Sequence, residues 1–485
     1  MPEKKSLEKL RQCSGYVSRK IIILLIVVLL LGVTGFWYLS RPLPIGTGHT
    51  AKIICSNVFI AGRDAATVYN EDIAPIHLLF SLTDYEVDFD KKEVVSTALG
   101  ISKARAIYRD GCGCTLVTGV TEEELRDQDF MNINRPEKGL YRNEDKPWPK
   151  GSAGAAEKLP EGVDGGLLQK AMNNAFAETD PESRKNTRAV VAVYDGDLVA
   201  ERYAPGIDAH TPLLGWSMSK SVTNALVGIL VRQGRLAPGD SGLIEKWRSN
   251  DDPRSKITLD HLMRMTSGLE FDEAYGPFSD AVEMFYESYD FAEYAADKPL
   301  KAPAGTEWNY SSGTANIVAK LVRKEASDGY EWYYSFLYKE LFDKIGMHST
   351  VFEPDPSGTF VGSSYMFASA RDWARFGQLY LQDGVWEKER ILPEGWVSYT
   401  TEPVKEASLG KYGAMFWLNA GSPGDPGNRV WPSVPADAYC AKGFQDQRVI
   451  IIPSKKLVLV RLGNCIGEDA WDDEAFIKDF LAALP

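Results

Sequence analysis

The chain is poor in cysteine and histidine, with 6 and 5 of them among 485 residues. So few cysteines cannot build a disulfide scaffold over this length. Neither a CxxC pair nor an HExxH pattern occurs, so a zinc site has little support and no metal or organic cofactor is implied. Basic residues are in deficit: 54 stand against 67 acidic ones, for a net charge of -13. That argues against a nucleic-acid partner, because phosphate contact needs a basic face. A GxSxG elbow, an internal repeat and a low-complexity tract are all missing. The hydrophobic share of 44% and charged share of 25% exclude a mostly disordered or collagen-like chain. The length suits two or three domains.

What is present begins with one long apolar run, Ile21 to Leu39. At ~1.5 Å per residue it measures about 28 Å, near the hydrocarbon thickness of a bilayer. Lys4, Lys5, Lys9, Arg11, Arg19 and Lys20 precede it, opposed by Glu3 and Glu8. The positive-inside rule then predicts a cytoplasmic tail over 1–20, a transmembrane anchor over 21–39 and export of the rest. No small-x-small cleavage site surrounds Phe36-Trp37-Tyr38-Leu39-Ser40, and Trp37 and Tyr38 suit an interface anchor, so a retained helix is favoured over a cleaved signal peptide. Export would place Cys55, Cys112, Cys114, Cys440 and Cys465 in an oxidising space. Their odd number leaves at least one thiol free. Cys55 with Cys114 or Cys112 is a reasonable pair, Cys440 and Cys465 flank a strand hairpin and could be neighbours, and buried free thiols are the equal alternative.

Residues 41–50, with Pro42, Pro44, Gly46 and Gly48, read as a linker. From 51 to about 130 short apolar stretches suggest a small module or an extension packed on the main domain, and about 132–166 reads as a connector. Stronger signals follow. Helical periodicity covers 167–177. Arg188 to Tyr194 and Leu198 to Tyr203 form a hairpin about Asp195-Gly196-Asp197. Val222, Ala225, Leu226, Ile229 and Leu230 mark one face of a helix over 217–233 that stops at Gly234. Two late strands, 447–453 and 456–462, precede an amphipathic helix over 470–484. This order predicts an α+β fold, an antiparallel sheet flanked by helices.

The sharpest local motif is Ser217-Met218-Ser219-Lys220. Residues three apart share a helix face, so Lys220 can reach the Ser217 oxygen. A serine hydroxyl is a weak nucleophile until a neighbour takes its proton. Burial and the positive end of a helix both push Lys220 toward its neutral, basic form. Alone, the pattern is better explained by a serine cap followed by a solvated lysine.

Three later blocks change that balance: Ile257-Thr-Leu-Asp-His-Leu-Met-Arg-Met-Thr-Ser-Gly-Leu269, Pro303-Ala-Gly-Thr-Glu-Trp-Asn-Tyr-Ser-Ser-Gly-Thr314 and Ala368-Ser-Ala-Arg-Asp-Trp-Ala-Arg-Phe-Gly377. In this order after SxxK they resemble the serine β-lactamase and penicillin-binding superfamily. The likeness is to its class C-like branch, with its esterases and nylon-oligomer (6-aminohexanoate dimer) hydrolases. The resemblance covers 166–485 and implies a β-lactamase-like fold with a helical subdomain; 40–165 is left as an exported extension or module. It implies that Ser217 is the acyl-forming nucleophile, Lys220 its partner and Tyr310 the general base and acid, with a nearby Lys220 charge helping Tyr310 to ionise. It also implies an oxyanion hole from the backbone amides of Ser217 and Phe444. Ser312, Lys442 and Gly443 are the substrate-binding candidates.

Two departures shape the functional expectation. The second motif reads Tyr310-Ser311-Ser312, so Ser312 stands where many β-lactamases carry an asparagine. The third reads Ala441-Lys442-Gly443, so alanine takes the basic position and alternation would turn Lys442 to the other face. Both changes favour a small amide or ester substrate over a β-lactam. A penicillin-binding sensor that acylates without fast turnover, and an inert scaffold that binds a partner through 51–150, are the rival readings. The family-level location is the bacterial inner membrane with the catalytic domain in the periplasm; a mitochondrial anchor is the alternative. His261, Cys112-Gly113-Cys114 and Trp471-Asp472-Asp473-Glu474 read as structural.

Overall fold

The computed structural model describes residues 19–32, 34–35, 41–128, 146–151, 153–155, 158–178, 180, 182–249, 251–327, 333–467 and 469–485. Residues 19–32 are helical, and the apolar side chains from Ile21 to Leu31 are exposed. The rest of the 21–39 run falls partly outside the described residues. Among the described residues no helix is long and apolar enough to cross a membrane.

The expected linker at 41–50 is instead the first half of a buried helix, α1 (Leu43–Phe59). Proline is tolerated there because Pro42 caps the helix and Pro44 lies in its first turn, where backbone N–H groups have no intrahelical partner. Gly46 and Gly48 let the helix approach Leu79 and Tyr286 closely. α1 lies across an antiparallel sheet of four strands, β1 (Thr83–Asp88), β2 (Glu93–Ala98), β3 (Ser102–Arg109) and β4 (Gly113–Leu116), in that order. The Cys55–Cys114 disulfide ties helix to sheet, which decides between the two expected pairings; Cys440 and Cys465 are free thiols. Cys440 and Cys465 are therefore not bridged. The Cys55–Cys114 link closes a loop with a sequence separation of 59. Replacing both cysteines with serine is expected to cost about 2–4 kcal/mol in a urea unfolding curve. An unchanged midpoint would contradict that crosslink.

The larger part of the chain contains α2 (Gly165–Phe176), β5 (Thr187–Tyr194), β6 (Asp197–Tyr203), α3 (Met218–Arg232), α4 (Ser312–Ser327), α5 (Ala370–Leu381), β7 (Trp417–Leu418), β8 (Tyr439–Gly443), β9 (Gln447–Ile452), β10 (Leu457–Gly463) and α6 (Asp473–Leu481). The six strands form one antiparallel sheet in the order β7-β8-β9-β10-β5-β6. Strand alternation sends Val191, Val193, Ala441, Val449, Ile451, Val458 and Val460 into the main core with α3 and α5. Val190, Ala192, Cys440, Ile450, Ile452, Leu457 and Leu459 face a second core beneath α2 and α6. Burial of both faces explains why β5, β9 and β10 read as near-continuous apolar runs. α3 is buried along almost its whole length, consistent with a helix apolar on all sides.

Ion pairs and hydrogen bonds dock the N-terminal segment onto this domain. Lys52 pairs with Glu353, and Asp72 takes both Arg63 and Arg188. Asn464 Nδ2 donates to the Glu71 carbonyl at 2.6 Å, and Thr115 Oγ1 to the Pro354 carbonyl at 3.0 Å. Part of the expected connector, 132–145, lies outside the described residues. Its end is not loose: Trp148 is buried, and Arg375 donates to the carbonyls of Pro149 and Gly151 at 3.1 and 2.9 Å.

Candidate active site

Ser217 sits at the N-terminal end of α3, and its side chain makes no capping bond. The turn that presents it is tight. Trp216 adopts a left-handed φ of 47°, an uncommon conformation for a bulky residue. Gly215 is pressed between the Trp373 ring and Gly443, and a Cβ on either glycine would collide with its neighbour. Gly443 thus brings the end of β8, and the Phe444 amide that follows it, against the turn carrying Ser217. The ladder bonds of this turn are donated by Met218, Ser219 and Lys220, so the Ser217 N–H precedes the first of them.

Lys220 is almost wholly buried, and its Nζ donates to Ser217 Oγ at 3.2 Å, to Ser312 Oγ at 3.0 Å and to the Ser363 carbonyl at 3.1 Å. Burial lowers its pKa to about 8, against an opposing pull from the Glu273 carboxylate. A tenth of the lysine is thereby neutral near pH 7, as a base requires. The Tyr310 ring lies beside Lys220, whose Nζ stands 4.6 Å from its centroid, and the Ser217 side chain acts on its hydroxyl. The expected help from Lys220 toward ionising Tyr310 is not the dominant influence. Burial and then Glu273 push its pKa well above the ordinary tyrosine value, with only Ser217 acting the other way. Trp308, Tyr412 and Trp417 wall in the Tyr310 ring.

The other candidates divide. Ser312 is fully buried at the start of α4. It accepts from Lys220, and its Oγ and N–H both donate to Glu273, at 2.5 and 2.7 Å. It is a strut behind Lys220 rather than a free substrate donor. Lys442 does not face Ser217. It shares a strand face with Cys440 and pairs with Asp473 at 3.2 Å, as alternation predicts. Asp473, which opens α6, also takes Arg448 at 2.7 Å, and these cations hold its carboxyl at about 2. Phe444 is half-exposed, edge-on to Trp216 and stacked on Tyr275. His261 caps its own helix, accepting from the Thr258 N–H at 3.2 Å.

Sequence reasoning missed Glu273, Ser363 and His49. Glu273 follows the first recognisable block by a few residues, and nothing in its spacing marks it. Ser363 acts through a carbonyl, which leaves no side-chain signature. His49 lay in the supposed linker. Its Nδ1 is 2.8 Å from the Tyr286 hydroxyl, its ring lies parallel to Trp216 at 6.4 Å, and burial lowers its pKa to about 4, so it is neutral. Behind Trp216 a cavity of about 30 Å³, lined by His49, Asn57, Asp72, Arg188 and Gln447, has room for about one water. Among the described residues no group of three His, Cys, Asp or Glu is placed to hold a metal.

An antiparallel sheet between helices, with the SxxK helix packed on one of its faces, is a β-lactamase-like α+β fold. Residues 172–483 match the family model Beta-lactamase, and the chain belongs to that family. It is 25% identical over 226 residues to a 6-aminohexanoate-dimer hydrolase of Paenarthrobacter ureafaciens, an alignment covering 44% of this chain. The chain thus spans 56% of the length of that curated relative. Among solved structures, a candidate 6-aminohexanoate-dimer hydrolase from Bacillus anthracis superposes with a TM-score of 0.52 at 20% identity, covering 71% of this chain and 91% of its own. A family VIII carboxylesterase gives 0.51 at 12% identity, covering 68% and 99%. At these identities the structural likeness establishes the fold.

Proposed function

We propose that this protein is a membrane-anchored serine hydrolase that cleaves a small amide or ester through an acyl-enzyme on Ser217. The observation that carries the reading is the Lys220–Ser217 contact at 3.2 Å, with the lysine buried and its pKa lowered to about 8. Neutral Lys220 takes the hydroxyl proton as Ser217 Oγ attacks the carbonyl. The Ser217 and Phe444 N–H groups receive the oxyanion. Tyr310, a weak acid held against Ser217, hands its proton to the leaving amine or alkoxide and is reprotonated from Lys220. Water then attacks the acyl-enzyme by the reverse proton path. With Tyr310 pushed upward and Lys220 downward, the base is the lysine and the tyrosine is the relay.

Substrate preference is argued from the third motif. Alanine at 441 and a Lys442 held by Asp473 leave no cation on the site face of β8 for a β-lactam carboxylate. The 6-aminohexanoate-dimer hydrolase and carboxylesterase likenesses accord with an amide or ester. Anchoring rests on the 21–39 run, whose described part is a helix with its apolar side chains outward. The basic flank places the tail over 1–20 in the cytoplasm and the enzyme in the periplasm.

The test is intact-mass detection of adducts on the detergent-solubilised full chain and on Ser217→Ala, with a fluorophosphonate and a fluorescent penicillin. The expected result is a fluorophosphonate adduct lost in Ser217→Ala, with a weak or transient penicillin adduct. A long-lived penicillin adduct would favour a cell-wall enzyme or sensor. No adduct dependent on Ser217 would overturn the mechanism.

The pH dependence has a defined sign. Because Lys220 must be neutral to act, kcat/KM for an ester should rise with pH and level off above about 8. Glu273 raises the Lys220 pKa, so Glu273→Gln should move this limb to lower pH. A limb that stays in place in the variant would separate it from Lys220.

A further inference from the structure

One end of the four-stranded N-terminal sheet carries an apolar surface that the fold does not use. Leu78 is 79% exposed, Leu82 43%, Leu99 63% and Ile101 55%. The pairing register brings them to one place. Thr83, which follows Leu82, pairs with Ala98, and Ala98 pairs with Ser102 across the Leu99-Gly100-Ile101 turn. Leu78 and Leu82 bound the short helix that leads into β1. The opposite end of the sheet holds the 88–93 and 109–113 turns.

The chain enters the module at the same end. Thr47 Oγ1 is 3.0 Å from Ser102 Oγ, and Thr50 Oγ1 is 3.0 Å from Thr83 Oγ1, so the first half of α1 lies beside these strand ends. Its other half reaches Cys114 and the Phe89 ring at the far end. The apolar cluster therefore surrounds the point where the chain arrives from the 21–39 run. Arg41, at that junction, is exposed.

The turn at the tip of the cluster supplies a second, independent observation. Leu99 and Gly100 both have left-handed φ, 53° and 67°, and Ile101 N–H bonds to the Ala98 carbonyl at 3.0 Å. Consecutive left-handed positions in a hairpin turn favour asparagine or aspartate with glycine. A leucine there is strained and, at this exposure, gains no packing in return. Local folding preference thus does not account for the residue, whereas contact with an apolar phase would.

We propose that this end of the N-terminal sheet rests in the interfacial layer of the bilayer that holds the 21–39 segment. Leu78, Leu82, Leu99 and Ile101 enter the boundary between headgroups and acyl chains. This rests on the anchor reading above and adds a second contact to it. A single helix would leave the domain free to swivel on its stalk. A helix plus an apolar cluster at its base fixes which face of the enzyme meets the lipid.

The experiment uses the full chain reconstituted in vesicles of phosphatidylethanolamine with phosphatidylglycerol. The environment-sensitive dye NBD is placed at Val28→Cys in the apolar run, at Leu99→Cys in the cluster and at Lys91→Cys at the opposite end of the sheet. The unsubstituted chain, labelled in parallel, is the blank for native thiols. The expected result is blue-shifted emission and quenching by shallow doxyl lipids at 99, quenching by deep doxyl lipids at 28, and neither at 91. If 28 is quenched but 99 emits as in water, the interfacial contact is overturned while the anchor stands. If 28 itself emits as in water, the anchor reading fails and takes this proposal with it. A quenched label at 91 would overturn the assignment of the lipid-facing end.

Discussion

Replacing Ser217 with alanine is expected to lower kcat/KM for an ester substrate on the order of 10⁴-fold or more, with the fold intact. Removing the nucleophile of a serine hydrolase leaves only what binding and the oxyanion donors supply. Stability should barely move, because the Ser217 side chain makes no cap bond at the start of α3. Lys220 would keep two of its three acceptors, Ser312 Oγ and the Ser363 carbonyl, so the buried amine would not be stranded. Lys220→Arg should be nearly as damaging, since a guanidinium cannot become the neutral base at any working pH. Tyr310→Phe should cost about 10²–10⁴-fold, the range for a general acid or base. Steady-state rates with thermal unfolding of each variant check the set. A folded Ser217→Ala variant with wild-type turnover would refute the nucleophile assignment.

How far the sequence could be read depended on how each residue acts. The β5–β6 hairpin, α3, the two late strands and α6 were legible because their apolar period is strong and their ends carry glycine, proline or aspartate. Ser217, Lys220 and Tyr310 were legible because a helix and a linear motif fix their spacing, and the structure brings them together. The turned-away Lys442 followed from alternation alone. What escaped was nonlocal. α1 was hidden by two prolines and two glycines, which in water signal a linker; the close approach of Leu79 and Tyr286 makes those small residues useful inside a helix. Glu273 gains its place only when the chain folds back to Ser312. The upward shift of Tyr310 depends on burial and on that same carboxylate, so the sequence suggested the wrong direction for it.

Lys52→Met is expected to destabilise the protein by about 3–5 kcal/mol, the usual cost of leaving one member of a buried ion pair uncompensated. Glu353 has no exposed side-chain surface, and Lys52 is nearly as buried. The carboxylate also accepts from Ser56 Oγ at 2.8 Å and the Cys114 N–H at 2.6 Å, groups that cannot neutralise it. Changing Glu353 to glutamine in the same chain should recover part of the loss, because the remaining partner is then neutral. A urea-unfolding double-mutant cycle reads that coupling. The effect should extend to catalysis. Lys52 Nζ lies 4.3 Å from the Tyr365 ring centroid, and two residues earlier the Ser363 carbonyl holds Lys220. One turn before Lys52 on α1, His49 lies along Trp216, the residue next to Ser217. A loosened α1 therefore slackens two supports of the Ser217–Lys220 pair. At a temperature where the variant is still folded, kcat should fall more than KM rises. An unfolding midpoint that does not move would mean that this interface is not part of the cooperative fold, and the link from the N-terminal segment to the site would be lost with it.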